Sequence, residues 1–207
     1  PKKDFDNLVS AELATREYFD PESSVMTEYP ANKAYEGKTV SEIARMNNES
    51  NAQALMRIVR ESAKPGMASG IVGTSMSEED IAALLRWEHS NICSDGAIEG
   101  HPRGHGAFTR FLGRYVREQK LMSLEEAVHK MTGLAAEHTG IAYRGLIQRG
   151  FFADLVLFDP ATVIDNATIN NATLLSTGIV KVWVNGQPVY QDKAAIPNYP
   201  GRFVARR

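Results

Sequence analysis

Apolar residues recur along this chain at two different periods, and the change from one to the other divides it. Up to about residue 145 the spacing is mostly helical, with apolar positions three and four apart. Residues 5–18 place Leu8, Val9, Leu13 and Tyr18 roughly on one face. Thr39 and Glu42 form the T-x-x-E pattern of a capping box and open a helix with Val40, Ile43, Ala44 and Met46 inward. Asn51 is placed to cap the next helix, where Ala54, Leu55, Ile58 and Val59 recur. Ser77 and Asp80 open another, with Ile81, Leu84 and Leu85 expected to be buried. Phe108, Phe111, Leu112, Tyr115 and Val116 line one face of a later helix. Ser123 to Glu126 caps the helix of Ala127, Val128, Met131 and Leu134. Short strand candidates alternate with these helices at 25–29, closed by Pro30, at 68–72 and at 90–93. Such alternation is the grammar of an α/β fold.

Beyond residue 145 the helical period is lost. Residues 153–158 read as a buried strand. Residues 179–184, Asn185-Gly186 and residues 187–190 read as a hairpin. Asn-Gly supplies the positive φ angles that a type I′ turn requires. The tail is therefore expected to be all-β.

Composition limits the class of function. A net charge of −2 and the absence of a Lys/Arg run give no electrostatic case for nucleic acid. The apolar runs fall far short of the roughly 18 residues of a membrane span. No signal peptide is visible after Pro1, and a single cysteine cannot form an internal disulfide, so a cytoplasmic location is expected. A start at Pro1 rather than Met suggests a processed or shortened chain.

The chemistry concentrates in Asn91-Ile92-Cys93-Ser94-Asp95-Gly96 and in His101-Pro102-Arg103 shortly after it. An acid at the C-terminal end of a strand, followed by a loop with His and Arg, is where an α/β barrel keeps its reactive groups. Asp95 can carry protons or ligate a metal; the bland alternative is a turn residue. Arg103 offers a planar fork for a carboxylate. His101 and His105 can touch substrate or metal, although a loop histidine beside Pro and Gly more often has a structural role. The glycine-rich segment 97–106 is expected to be a loop, and Cys93 a core residue of its strand. Ser94 lacks a G-x-S-x-G elbow and is expected to orient Asp95 or to pack. Trp183 reads as core, and the sequons at Asn166 and Asn171 carry little weight. With five histidines, one cysteine and no H-x-H pair, half of an active site is present without the other half.

Several motifs together resemble the N-acyl-D-amino-acid deacylases, the D-aminoacylases of the amidohydrolase superfamily. They include Tyr35-Glu36-Gly37-Lys38-Thr39, Met76-Ser77-Glu78-Glu79-Asp80, Cys93-Ser94-Asp95-Gly96 and His101-Pro102-Arg103. Leu112-Gly113-Arg114-Tyr115-Val116-Arg117, Ala153-Asp154-Leu155-Val156 and Val184-Asn185-Gly186 continue the series. The resemblance implies the C-terminal part of a (β/α)8 barrel over residues 1–145, then strands of a small β-sandwich over 146–207. It implies Asp95 as the carboxylate that takes a proton from a zinc-activated water and passes it to the leaving nitrogen. Arg103 would anchor the substrate carboxylate, with His101 as a further substrate contact. Zinc is expected in the full-length parent and not in this chain alone, because the family's H-x-H pair, bridging ligand and two further histidines have no counterpart here. The expected partners are a small N-acyl amino acid and the N-terminal part of the same enzyme. The alternative is a non-catalytic fragment, or split-enzyme half, that acts only in assembly. A relative acting on cyclic amides is a third option, which the His-Pro-Arg loop disfavours.

Overall fold

The structure is a computed structural model. It describes residues 7, 9–10, 13, 19–74, 76–96 and 101–206. The helix expected over 5–18 lies almost wholly outside the described residues. The chain divides into two units. One holds the residues up to Ser77, with His101 and Thr168–Ala172; the other holds Glu78–Gly96, Pro102–Ala167 and the residues from Thr173 onward.

In the first unit, strand β1 (Val25–Glu28) pairs antiparallel with β2 (Gly70–Val72), Val25 facing Val72. Helices α1 (Val40–Met46) and α2 (Asn51–Ser62) lie between them in the chain. Both halves of the Thr39–Glu42 capping box are made, at 3.1 and 2.7 Å. The Thr39 N–H holds the Glu42 carboxyl below the usual carboxylate range. The second cap corrects the sequence reading. Ser50, not Asn51, caps α2, and Gln53 returns the bond to the Ser50 N–H. A serine hydroxyl one residue earlier completes the reciprocal box, leaving Asn51 as the first helical residue. Met26, Tyr29, Tyr35, Val40, Ile43, Ala44, Ala54 and Ile58 form the core of this unit.

Tyr29 is fully buried, stacks on Tyr35 at 5.6 Å and donates its hydroxyl hydrogen bond to Glu61. Arg57 grips Glu49 through a fork, at 3.0 and 2.9 Å. Burial first, and Glu61 second, push the Tyr29 phenol well above its ordinary pKa. Folding therefore keeps a proton that the unfolded chain releases at about pH 10. The stabilisation is complete below that value and is lost as pH rises beyond it. Thermal unfolding followed from pH 7 to 11 is expected to fall more steeply in the wild type than in Tyr29→Phe. That variant loses about 1.5–3 kcal/mol at neutral pH with its hydrogen bond to the Glu61 carboxylate. Parallel curves for the two proteins would rule out Tyr29 as the source of alkaline sensitivity.

The second unit carries α3 (Glu78–Arg86), α4 (Arg103–Arg110), α5 (Leu124–Met131) and α6 (Gly133–Thr139). Helix α4 continues without a break into a π-helix, Phe111–Glu118. Phe111, Leu112, Tyr115 and Val116 are buried, as the stripe of an α-helix would also be, and Gly113 is buried in addition to them. A Cβ on Gly113 would stand 2.6 Å from the Val163 carbonyl oxygen, so the close approach of segment 163–164 depends on this glycine. Phe108 differs from the sequence reading and is 43% exposed, one turn before the widened segment. Leu84 is likewise exposed, while Ile81 and Leu85 pack on the core.

Strands β3 (Leu155–Phe158), β4 (Ile179–Val184), β5 (Gln187–Gln191) and β6 (Ala194–Ala195) form one antiparallel sheet in that order. The Asn185-Gly186 turn has φ of 49° and 77°, as a type I′ turn needs. Arg144 locks this turn by donating to Asp154 and to Asn185 Oδ1, while the Asn185 N–H donates to Asp154 Oδ1 at 2.8 Å. The expected burial of residues 153–158 is not met, since Val156 and Leu157 are 56% and 52% exposed. Strand β3 ends the sheet and has a partner only on its β4 side. Among the described residues every strand pair is antiparallel and no closed barrel forms, so the fold is mixed α/β. No helix among them is long and apolar enough to cross a membrane.

Candidate active site

The segment that leads to Asp95 is not the strand its sequence suggests. Residues 90–96 have no regular secondary structure, and Cys93 is exposed rather than in the core. A parallel strand needs neighbours on its edges, and no described strand pairs with this one. Its backbone is held to α5 by the Ile92 N–H on the Lys130 carbonyl, at 3.5 Å.

Asp95 sits in a tight turn with φ of +42°. Aspartate tolerates this left-handed region better than most residues. Gly96 donates its N–H back to the Ser94 hydroxyl at 3.3 Å, closing the turn around Asp95. A Cβ on Gly96 would stand 2.7 Å from the Gly104 Cα. The turn is therefore pressed against the first turn of α4, and glycine is what allows it. The composition of segment 97–106 predicts one loop, but α4 begins at Arg103. Pro102 precedes it with its fixed φ, a good start for a helix. His105 thus lies in a helix, where its carbonyl accepts from the Ser176 hydroxyl at 3.0 Å. His101 falls in the first unit. Residues 97–100 lie outside the described residues.

These constraints bring Asp95 and Arg103 together. Arg103 Nη2 is 3.1 Å from Asp95 Oδ2, with the side chains 47% and 75% exposed. So exposed a pair contributes little stability. It does place an acid that can exchange protons beside a guanidinium that can read an anion.

One residue close to this segment was missed in the sequence. Lys130 is 1% exposed and donates from Nζ to the Trp87 carbonyl and the Ser90 hydroxyl. Its signal was present: it occupies the inward stripe of Ala127, Met131 and Leu134, where an apolar residue belongs.

Residues 10–190 match the amidohydrolase family. The chain belongs to that family. Its likeness within the family is to D-aminoacylases. It is 46% identical over 141 residues to the D-aminoacylase of Alcaligenes xylosoxydans xylosoxydans, covering 67% of this chain and 29% of that protein. Among solved structures, it superposes on a crystal structure of D-aminoacylase with a TM-score of 0.80 and 33% identity. That match covers 99% of this chain and 46% of the other. It also superposes on the N-acyl-D-glutamate deacylase of Bordetella bronchiseptica, crystallised with zinc and a phosphonate inhibitor that mimics the tetrahedral intermediate. There the TM-score is 0.73 and the identity 37%, over 84% of this chain and 36% of that one. The chain thus spans under half the length of the relatives it matches.

The zinc of that Bordetella relative finds no ligand set here. Among the described residues no three His, Cys, Asp or Glu side chains converge as a metal site requires. Asp95, the one acid at the expected place, is engaged with Arg103.

Proposed function

We propose that this amidohydrolase chain is the C-terminal portion of a zinc-dependent hydrolase cleaving the linear amide of N-acyl-D-amino acids. Residues 1–145 would complete a barrel, and residues 146–207 would supply strands of a β-sandwich. The metal ligands and the zinc belong to the remainder of the full-length polypeptide.

The observation that carries this reading is the 3.1 Å pairing of Asp95 with Arg103. In an N-acyl amino acid a single carbon separates the carboxylate from the amide nitrogen. A group that reads the carboxylate and a group that delivers a proton to the nitrogen must therefore be close neighbours. Arg103 has the fork for the first task, and Asp95 has for the second a carboxylate that would take a proton from the attacking water and pass it to the nitrogen. An incoming carboxylate competes with Asp95 for the same guanidinium, so binding frees the acid at the moment it is needed. His101, two residues before Arg103, would be a further substrate contact.

The test is amine release from N-acyl-D-amino acids, their L-enantiomers and cyclic amides by the full-length polypeptide. Preference for the linear D substrates is expected. Turnover of cyclic amides alone would replace this reading with the cyclic-amide one.

The assembly reading has its own observation. A groove of about 700 Å³ runs between α4, α5 and the sheet, lined by Phe108, Leu112, Met131, Leu146, Val156 and Val182. Neither Asp95 nor Arg103 lines it. Open apolar surface of this kind takes a partner chain or aggregates. Here the remainder of the same enzyme would cover it.

A further inference from the structure

We propose that Lys130 is a positioning residue that sets the path of the chain into Asp95. The inference rests on the reading of Asp95 as the proton-carrying acid.

Burying an ammonium is costly unless its donors are satisfied. Lys130 is 1% exposed, yet its two bonds go to neutral oxygens, the Trp87 carbonyl and the Ser90 hydroxyl at 3.2 Å. A methionine or leucine would fill this place on the inner stripe of α5 without that cost. What an apolar side chain cannot do is hold a stretch of backbone that has no strand beside it. The Lys130 backbone contributes too, since its carbonyl accepts the Ile92 N–H at 3.5 Å. One residue thus takes three attachments from Trp87, Ser90 and Ile92. Beyond them the Ser94–Gly96 turn is closed by its own hydrogen bond and by the Gly96–Gly104 contact. The segment is fixed at its start by Lys130 and at its end by α4, and Asp95 stands at the second fixed point. Trp87 also continues α3 through its N–H on the Ala83 and Leu84 carbonyls, at 3.2 and 3.3 Å, but among the described residues the bonds that tie Ser90 and Ile92 to a regular element run to Lys130, and those from its charged group are worth about twice neutral ones. Release of one anchor lets the acid drift, and a displacement of about 1 Å can cost about 100-fold in rate.

The experiment uses the full-length polypeptide with Lys130→Met, Lys130→Arg and Asp95→Asn, alone and combined. Lys130→Met is expected to lower kcat by about 10–100-fold with KM little changed. Lys130→Arg, which keeps the charged donors, is expected to recover most of the loss. In the Asp95→Asn background Lys130→Met should add no further loss, because the acid it positions is already gone. Amide hydrogen exchange across residues 87–95 should quicken in Lys130→Met. If Lys130→Met does not fold, Ser90→Ala removes one acceptor and carries the same cycle with a smaller loss. Equal losses in the wild-type and Asp95→Asn backgrounds would make Lys130 merely structural and overturn the proposal. So would unchanged exchange across 87–95. If instead Asp95→Asn retains turnover, the reading of Asp95 fails, and the exchange data alone decide whether Lys130 holds the segment.

Discussion

Asp95→Asn in the full-length polypeptide is expected to lose about 10²–10⁴-fold or more in kcat while folding and metal content survive. Asparagine is nearly isosteric with aspartate and tolerates the same left-handed backbone, so the turn at φ +42° persists. The Ser94–Gly96 bond and the Gly96–Gly104 contact do not involve the carboxylate. The ion pair to Arg103 is lost, but at 47% and 75% exposure it contributes little to stability. What remains is an amide that cannot carry a proton. A metal-replete Asp95→Asn enzyme with kcat near the wild-type value would remove Asp95 from the chemistry.

Arg103→Lys is expected to cost about 10–100-fold in kcat/KM on substrates with a free carboxylate, and little on the matching amides. Lysine keeps the charge beside Asp95 but loses the planar fork. One charge-assisted hydrogen bond is worth about 1.5–3 kcal/mol, which is the expected discrimination. The comparison is made between an N-acyl amino acid and its carboxamide under the same conditions. Equal losses on both would show that Arg103 does not read the carboxylate.

Local patterns were legible where the physics is local. The Thr39–Glu42 box, the Asn185-Gly186 turn and the inward Val40, Ile43, Ala44, Ala54 and Ile58 follow from residues within a few positions of one another, although Met46 and Val59, expected inward as well, are exposed at the helix margins. The approach of Arg103 to Asp95 was legible only as a shared location. The contact depends on Gly96 meeting Gly104, a packing event between segments that no periodicity reveals. The failures share a cause. Residues 90–93 and 153–158 have the composition of buried strands, and composition alone does not say whether other elements cover them. Among the described residues the first has no strand partner, and the second lacks cover on both faces, so Cys93 and the adjacent, oppositely directed Val156 and Leu157 are all exposed. The π-helix over 111–118 was read as an α-helix because both periods place 111, 112, 115 and 116 inward. Lys130 was passed over because a lone lysine in an amphipathic helix is usually on the solvent side.

The most direct test compares the full-length polypeptide with the 207-residue chain, measuring bound zinc per chain and amine release from an N-acyl-D-amino acid. Zinc and turnover are expected in the full-length polypeptide. The shorter chain should show neither until the remainder is supplied in trans. A 207-residue chain that holds one zinc tightly and hydrolyses the substrate by itself would contradict the assignment of the metal ligands to the rest of the polypeptide, and with it the reading of this chain as one portion of the active site.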